Sequence, residues 1–269
     1  MEDIIEKAQF CLNCKVKPCK KGCPMENDIP SFIQCIKKEE YEKAYKILSR
    51  TTVLESICGR ICPHMSQCMG SCVRGIKSSP VSIGELEAFI GDLALKDKFC
   101  MESLEKSCSG KKVAVVGSGP AGLTCAAFLA RKGASVTIYE KHSKLGGLLR
   151  YGIPDFRLDK DLLDNVIATI LSLGIEVKYN KELGKNLLLE NLEKDFDAIF
   201  LGIGANIPMK MQIDGEDLKG VFGGNSLLET QKHPNYIEKT VAIIGGRKCC
   251  NGCGKNCKEN GSKKSNSYL

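Results

Sequence analysis

Eight cysteines in two short blocks constrain this chain more than any other feature. Cys11, Cys14, Cys19 and Cys23 are spaced C-x2-C-x4-C-x3-C, and Cys58, Cys62, Cys68 and Cys72 follow as C-x3-C-x5-C-x3-C. Thiols this close in sequence either wrap a small cofactor or pair as disulfides. The N-terminus, MEDIIEKAQFCLNC, has no basic stretch leading into an apolar one, and no apolar run reaches membrane-spanning length. The chain therefore reads as cytoplasmic, where clustered thiols serve metals or catalysis rather than disulfides. The first block ends Cys23-Pro24, as bacterial ferredoxin runs do. Structural zinc prefers C-x2-C pairs separated by longer gaps, often with histidine, so the spacings favour iron–sulfur. His64 lies nearby but reads as a surface residue, and Cys35, Cys58, Cys100, Cys108 and Cys125 read as buried small hydrophobes.

Composition divides the rest. Residues 1–110 hold eleven of the sixteen cysteines and periodic stretches that predict helices over 29–50 and 82–98. Residues 111–246 hold only Cys125 and alternate strands with helices. The pattern predicts strand 112–116, helix 120–132, strand 135–139, helix 160–173, strands 175–179 and 197–201, and a last strand from Thr240. Residues 247–269 are short of large apolar side chains and read as a disordered tail that builds no core. That tail holds six Lys/Arg against Glu259 alone, which accounts for most of the net charge of +7. The remainder offers no electrostatic reason to expect a nucleic-acid partner, and nothing suggests a membrane.

Gly117, Gly119 and Gly122 form G-x-G-x-x-G directly after a strand and at the mouth of a helix. Gly117 permits the tight turn, Gly119 lets a pyrophosphate approach the backbone, and Gly122 allows close helix–strand packing. The helix N-terminus adds oriented N–H groups. Glu140 ends the second strand, where the partner of a ribose hydroxyl belongs. Gly146 and Gly147 permit backbone approach to a second part of a large ligand, or simply form a glycine turn before a helix. The pattern alone leaves flavin and nicotinamide both open.

Taken together, CLNCKVKPCKKGCP, SICGRICPHMSQCMGSC, SIGELE, VAVVGSGPAGL and GGLLRYGIP resemble the small subunit of NADPH-dependent glutamate synthase. The same module forms the N-terminal half of dihydropyrimidine dehydrogenase and one subunit of flavin-based ferredoxin:NADP oxidoreductases. The resemblance runs through residues 1–246. It implies an α-helical domain with two 4Fe–4S clusters, followed by an incomplete α/β Rossmann-like FAD domain. It also implies interleaved ligands: Cys11, Cys14, Cys19 and Cys72 for one cluster, and Cys23, Cys62, Cys68 and Glu87 for the other, with Cys58 left out. Read from its helix alone, Glu87 would be a solvated face residue. Gly117, Ser118, Gly119, Pro120, Ala121, Gly122 and Glu140 match the FAD pyrophosphate and ribose contacts. Gly147, Leu148, Arg157, Ile61 and Leu183 match further FAD positions, and residues 201–205 (LGIGA) match the stretch that crosses beside the flavin.

The implied function is an electron-input subunit, passing electrons from NADPH through FAD and the clusters to a large glutamate synthase-type partner or another redox subunit. Input to a ferredoxin:NADP or sulfide dehydrogenase-type complex, or a non-catalytic iron–sulfur fragment, are the other readings. No residue stands out as a catalytic acid, base or nucleophile. His142 and His233 have only structural readings.

The chain departs from this family at its C-terminal end. There, the strand matching TVAIIGG opens a second fingerprint, G-G-G-N-V-A-M-D, which begins the NADPH domain. Here RKCCNGCGKNCKENGSKKSNSYL follows instead, and Cys249, Cys250, Cys253 and Cys257 invite a third metal site. Back-translation with one nucleotide dropped at Arg247 permits G-N-V-A-M-D-A-A-R-T-A-K-R-M-G-A-K-R-V-T-V-I, which restores the fingerprint. The expectation is therefore a one-nucleotide insertion near codon 247, with tail cysteines read out of frame. Such a chain would lack the NADPH domain, hold FAD weakly, fail to oxidise NADPH and expose apolar edges. Sequencing the gene across codon 247 should show the insertion, and an uninterrupted frame with no second fingerprint downstream would refute it.

Overall fold

The computed structural model describes residues 2–205, 207, 210–230, 234–245, 253–255, 257–258, 262 and 264–268. Its first part is helical, with α1 (Glu2–Gln9), α2 (Pro18–Lys21), α3 (Ile29–Lys37), α4 (Tyr41–Leu48), α5 (Glu55–Ile61) and α6 (Ile83–Asp97). The stretch 29–50 reads as one helix but forms two. Glu39 adopts φ 59° and Glu40 N bonds back to Cys35 O at 2.9 Å, which closes α3 before α4 begins. The apolar faces of α1, α3, α4 and α6 enclose Phe32, Ile33, Ile36, Leu48, Leu86 and Ile90.

α5 and α6 cross with almost no side chain between them. A Cβ on Gly59 would stand 2.5 Å from both Ala88 N and Gly84 O, and one on Gly91 would stand 2.5 Å from Ser56 N. Gly84, Glu87, Ala88 and Gly91 fall at i, i+3, i+4 and i+7, so they share the face of α6 turned to this seam. Two 3-10 turns, His64–Ser66 and Val73–Ile76, carry the second cysteine block around its end.

The second part comprises β1 (Lys112–Val116), α7 (Pro120–Arg131), β2 (Ser135–Tyr139), α8 (Leu148–Tyr151), α9 (Lys160–Leu171), β3 (Glu176–Lys178), α10 (Leu189–Asp195), β4 (Ala198–Leu201), α11 (Gly224–Thr230), β5 (Thr240–Ile244) and β6 (Lys264–Tyr268). A parallel four-stranded sheet runs in the order β3-β2-β1-β4, with Lys112 opposite Ser135 and Val113 opposite Ala198. β1 and β2 are each buried along four consecutive residues, as parallel strands covered on both faces must be. One face packs Leu123, Leu163, Val166 and Ile170 together with Val53, Leu54 and Ile57 of the helical part. The other packs Ala114, Val116 and Tyr139 on Leu187 and Leu192.

The C-terminal stretch departs from its reading as a structureless tail. β5 does not join the main sheet but pairs with β6 in parallel, Thr240 opposite Lys264 and Ile244 opposite Tyr268. The tail read as structureless thus supplies a strand, and Cys253 and Cys257 are buried. A ladder needs only backbone groups, and a thiol packs as a small hydrophobe, so poverty in large apolar residues does not forbid either. β4 ends at Leu201, 52 % exposed, and Ile203, Leu218, Phe222 and Ile244 are exposed too. Among the described residues, no helix is long and apolar enough to cross a membrane.

The two parts are tied by Arg131, whose buried guanidinium donates to Ser49 O and Glu102 O, each at 2.6 Å. Nearby, Glu55 is buried with one carboxyl oxygen unpartnered, and burial holds it at about 8, only partly offset by a bond from its own backbone N–H and then by Arg131. Because the folded value lies above the ordinary carboxylate range, its contribution is complete below that range and is lost as pH rises through 8. Glu55→Gln should therefore match the parent near about pH 4 and exceed it by a few kcal/mol at about pH 9 in thermal melts. An unchanged pH dependence would contradict this.

Candidate functional site

The cysteine blocks, separate in sequence, mix in space. Cys11, Cys14, Cys19 and Cys72 line one small apolar cavity with Ile29, Pro30, Ile33 and Ile83. Three of these thiols come from the loop before α2 and its first turn, and the fourth immediately precedes the second 3-10 turn. Burial pushes the Cys19 thiol up to about 11; a backbone N–H opposes this, while Cys11 and Cys72 reinforce it.

Cys23, Cys62, Cys68 and Glu87 form a second group. Burial pushes Cys68 up to about 12, with Glu87, Cys23 and Cys62 adding to the effect. Glu87 is 6 % exposed, which corrects the solvated-face reading: it stands on the α6 face that meets α5. Its Oε1 accepts from Asn27 Nδ2 at 3.3 Å. Burial, then Cys62 and Glu55, hold its carboxyl well above the carboxylate range. Cys58 is hydrogen-bonded to Cys62, and that bond and burial push its thiol far up.

Thiols and a carboxyl packed this tightly repel one another once ionised, and no lysine or arginine side chain is among the groups that shift Cys19, Cys68 or Glu87. A positively charged centre would remove that penalty, so the donor set suits one. No three His, Cys, Asp or Glu side chains among the described residues converge as they would on a single metal ion. A cubane cluster is larger than one ion, and its ligands surround a space, as the four cavity-lining thiols do.

The other cysteines divide. Cys35 is buried as expected, Cys58, Cys108 and Cys125 are half-buried, and Cys100 is exposed because it lies in the irregular stretch after α6. His64 is half-buried and its ring lies against Gly84 rather than in solvent. Cys249, Cys250 and His233 lie outside the described residues.

The glycine fingerprint is assembled with a distinct reason at each glycine. Gly117 takes φ 98°, donates its N–H to Tyr139 O at 2.8 Å, and would place a Cβ 2.4 Å from Gly202 O. A Cβ on Gly122 would stand 1.9 Å from Gly117 O, whereas one on Gly119 meets nothing within 4 Å. Gly119 thus faces open ground before the α7 N-terminus, where Pro120 and Ala121 begin the helix. Gly202, within the 201–205 crossing, donates to Val116 O at 2.8 Å beside Gly117.

Glu140 has a role the sequence did not announce. It is 3 % exposed, and one oxygen accepts from both Ser118 N, at 2.9 Å, and Ser118 Oγ. The other accepts from His142 N at 2.9 Å. Ser118 Oγ in turn accepts from Gly146 N at 3.1 Å, so one carboxylate pins both glycine loops. Gly147, at φ 50°, lies against Gly119, where a Cβ would approach Gly119 Cα to 2.7 Å. Leu148 follows, 57 % exposed. Arg157 is half-buried in the turn after Pro154. Ile61 and Leu183 pack against cores on opposite faces of the sheet, with no hydrogen bond to the fingerprint among the described residues.

A cysteine-rich helical domain joined to a parallel α/β domain with a dinucleotide loop defines an iron–sulfur, nucleotide-binding oxidoreductase module. Residues 1–99 match the family profile described as dihydropyrimidine dehydrogenase domain II, 4Fe-4S cluster, and residues 115–166 match an NAD(P)-binding Rossmann-like domain. The chain is 33 % identical to the NADPH glutamate synthase small chain of Escherichia coli, across 96 % of its own length and 57 % of that protein's. It is 36 % identical to the NADH glutamate synthase of Schizosaccharomyces pombe, over 90 % of its length and 12 % of that chain. Mycobacterium tuberculosis FprA, solved in complex with NADPH, shares the fold at TM-score 0.51 and 17 % identity, covering 58 % of this chain and 42 % of that one. The chain belongs to the family of the glutamate synthase small chain, built on this iron–sulfur and Rossmann-like module. It spans about half the length of the bacterial small chain it matches.

The glycine geometry predicts opposite outcomes for two similar changes. Gly122→Ala should lower stability by about 1–3 kcal/mol, because its methyl collides with backbone. Gly119→Ala should leave the melting temperature unchanged while reducing dinucleotide affinity. Equal melts for the two variants would contradict the assignment.

Proposed function

We propose that this chain is the electron-input part of an NADPH-dependent, glutamate synthase-type oxidoreductase that holds two 4Fe–4S clusters and FAD. Residues 1–110 form the cluster domain, and residues 111–246 form the first part of the FAD domain. The reading is carried by one observation: thiols from both sequence blocks line the same cavity. Cys11, Cys14, Cys19 and Cys72 hold one cluster, and Cys23, Cys62, Cys68 and Glu87 hold the other. Asn27 orients the Glu87 carboxylate. Cys58 keeps its proton and hydrogen-bonds Cys62, so it acts beside the ligands rather than among them.

When bound, FAD would supply hydride chemistry, with NADPH held on a domain that residues 1–246 do not provide, and the clusters would carry single electrons onward to a large glutamate synthase-type subunit or another redox partner. The chain's own part is placement. Glu140 holds Ser118, and through it Gly146, so that Gly119 and Gly147 keep their backbone open to a pyrophosphate. A carboxylate among thiolates separates the potential of the second cluster from that of the first.

Anaerobic reconstitution with iron, sulfide and FAD tests this. About eight iron atoms per chain and two distinct cluster signals in electron paramagnetic resonance are expected. Cys72→Ser should remove one signal, Cys58→Ser neither, and Glu87→Gln should shift the potential of the second cluster alone. About four iron atoms per chain, or loss of a cluster in Cys58→Ser, would overturn the assignment.

A further inference from the structure

The surface around the cysteine loops is unlike the rest of the helical domain. Among the described residues of 1–110, every exposed large apolar side chain falls in these loops: Phe10, Leu12, Val16 and Met25 in the first, Met65, Val73 and Ile76 in the second. Leu12 and Val73 edge the cavity of Cys11, Cys14, Cys19 and Cys72, and Arg74 lies over the Phe10 ring at 4.3 Å. Phe10, Leu12 and Val73 thus come together at the mouth of this cavity, and exposed apolar groups that cluster mark an interaction surface rather than ordinary scatter.

The same loops are strongly cationic. Residues 10–25 and 62–79 hold six Lys/Arg and no Asp or Glu. Lys17 is paired with Asp28 at 2.7 Å and Arg74 is committed to Phe10. Lys15, Lys21 and Lys77 are exposed and form no ion pair among the described residues. Positive charge near thiolate ligands offsets their anionic character, but that service explains neither the exposure of these lysines nor their apolar neighbours. Cationic and apolar side chains exposed on the same loops fit a partner with the converse pattern.

We propose that this face is the docking surface for a redox partner protein that presents carboxylates around an apolar patch. Such docking would set the partner against the loops that carry the cluster ligands. The inference rests on the electron-transfer reading given above for the source of the partner, and on exposure and charge for the surface itself.

Two probe proteins of opposite charge test it: an acidic plant-type 2Fe–2S ferredoxin and a basic mitochondrial cytochrome c. Titrations of the cluster-reconstituted chain are read by fluorescence anisotropy and by hydrogen-exchange protection. The ferredoxin should bind, protect residues 10–25 and 62–79, and weaken with added salt. The triple variant Lys15→Glu, Lys21→Glu, Lys77→Glu should bind it roughly tenfold more weakly and bind cytochrome c more tightly. Leu12→Ser with Ile76→Ser, which keeps every charge, should also weaken the ferredoxin. Protection elsewhere, such as on residues 201–244, or unchanged binding by the triple variant, would overturn the proposal. Iron and sulfide assays on the same sample report separately on the clusters. An iron-poor chain with the expected footprint would count against the cluster assignment and leave the docking surface standing.

Discussion

Everything in the helical part follows from how closely α5 and α6 approach. Three glycines, Gly59, Gly84 and Gly91, remove the side chains that would hold these helices apart. The seam therefore brings Glu55, Cys58 and Cys62 of one chain segment against Glu87 of another, inside a region shielded from water. Burial makes Glu55 and Glu87 reluctant to ionise, and the hydrogen bond to Cys62 together with burial does the same for Cys58. A fold that carries this penalty at Glu55, Cys58 and Glu87 together gains from a cationic centre beside them, and binding then becomes part of folding stability.

The same seam decides how the two parts of the chain relate. Ile57 of α5 and the preceding Val53 and Leu54 are buried in the core that α7 and α9 form over the sheet. Arg131 closes the junction from the other side with two short hydrogen bonds to carbonyls of the helical part and the linker. α5, which leads into the second cysteine block, thus shares a core with α7, the helix that the glycine fingerprint opens. A pin made of a single carboxylate, Glu140, finishes the arrangement by holding Ser118 and Gly146 in register. Placement of this kind is what an electron-transfer protein contributes, since the cofactors carry the chemistry.

Much of this was legible in the sequence because it depends on local rules. The strand–glycine–helix pattern at 112–132 specifies its own turn, and β1, β2 and α7 fall within a residue of where periodicity puts them. What was not legible depends on tertiary neighbours. Nothing local distinguishes Glu87 from its exposed neighbour Glu85; only the glycines on the same face reveal that α6 buries it. The break at Glu39 is a single left-handed residue inside a continuous apolar period, so 29–50 reads as one helix. Glu140 carries the expected position but an added role, because its bond to Ser118 arises only when the two strands lie side by side. Cys100 looks like any small hydrophobe until the linker leaves it in solvent. The pairing of β5 with β6 rests on backbone groups that every residue but proline provides, which composition cannot reveal.

Whether the two cysteine blocks interleave is best decided by locating the iron directly. An anomalous difference map at the iron edge, from crystals of anaerobically reconstituted protein, should show two peaks. One should lie among Cys11, Cys14, Cys19 and Cys72, and the other among Cys23, Cys62, Cys68 and Glu87. One peak inside each sequence block, with Cys23 beside Cys19 and Cys58 beside Cys72, would contradict the interleaved arrangement.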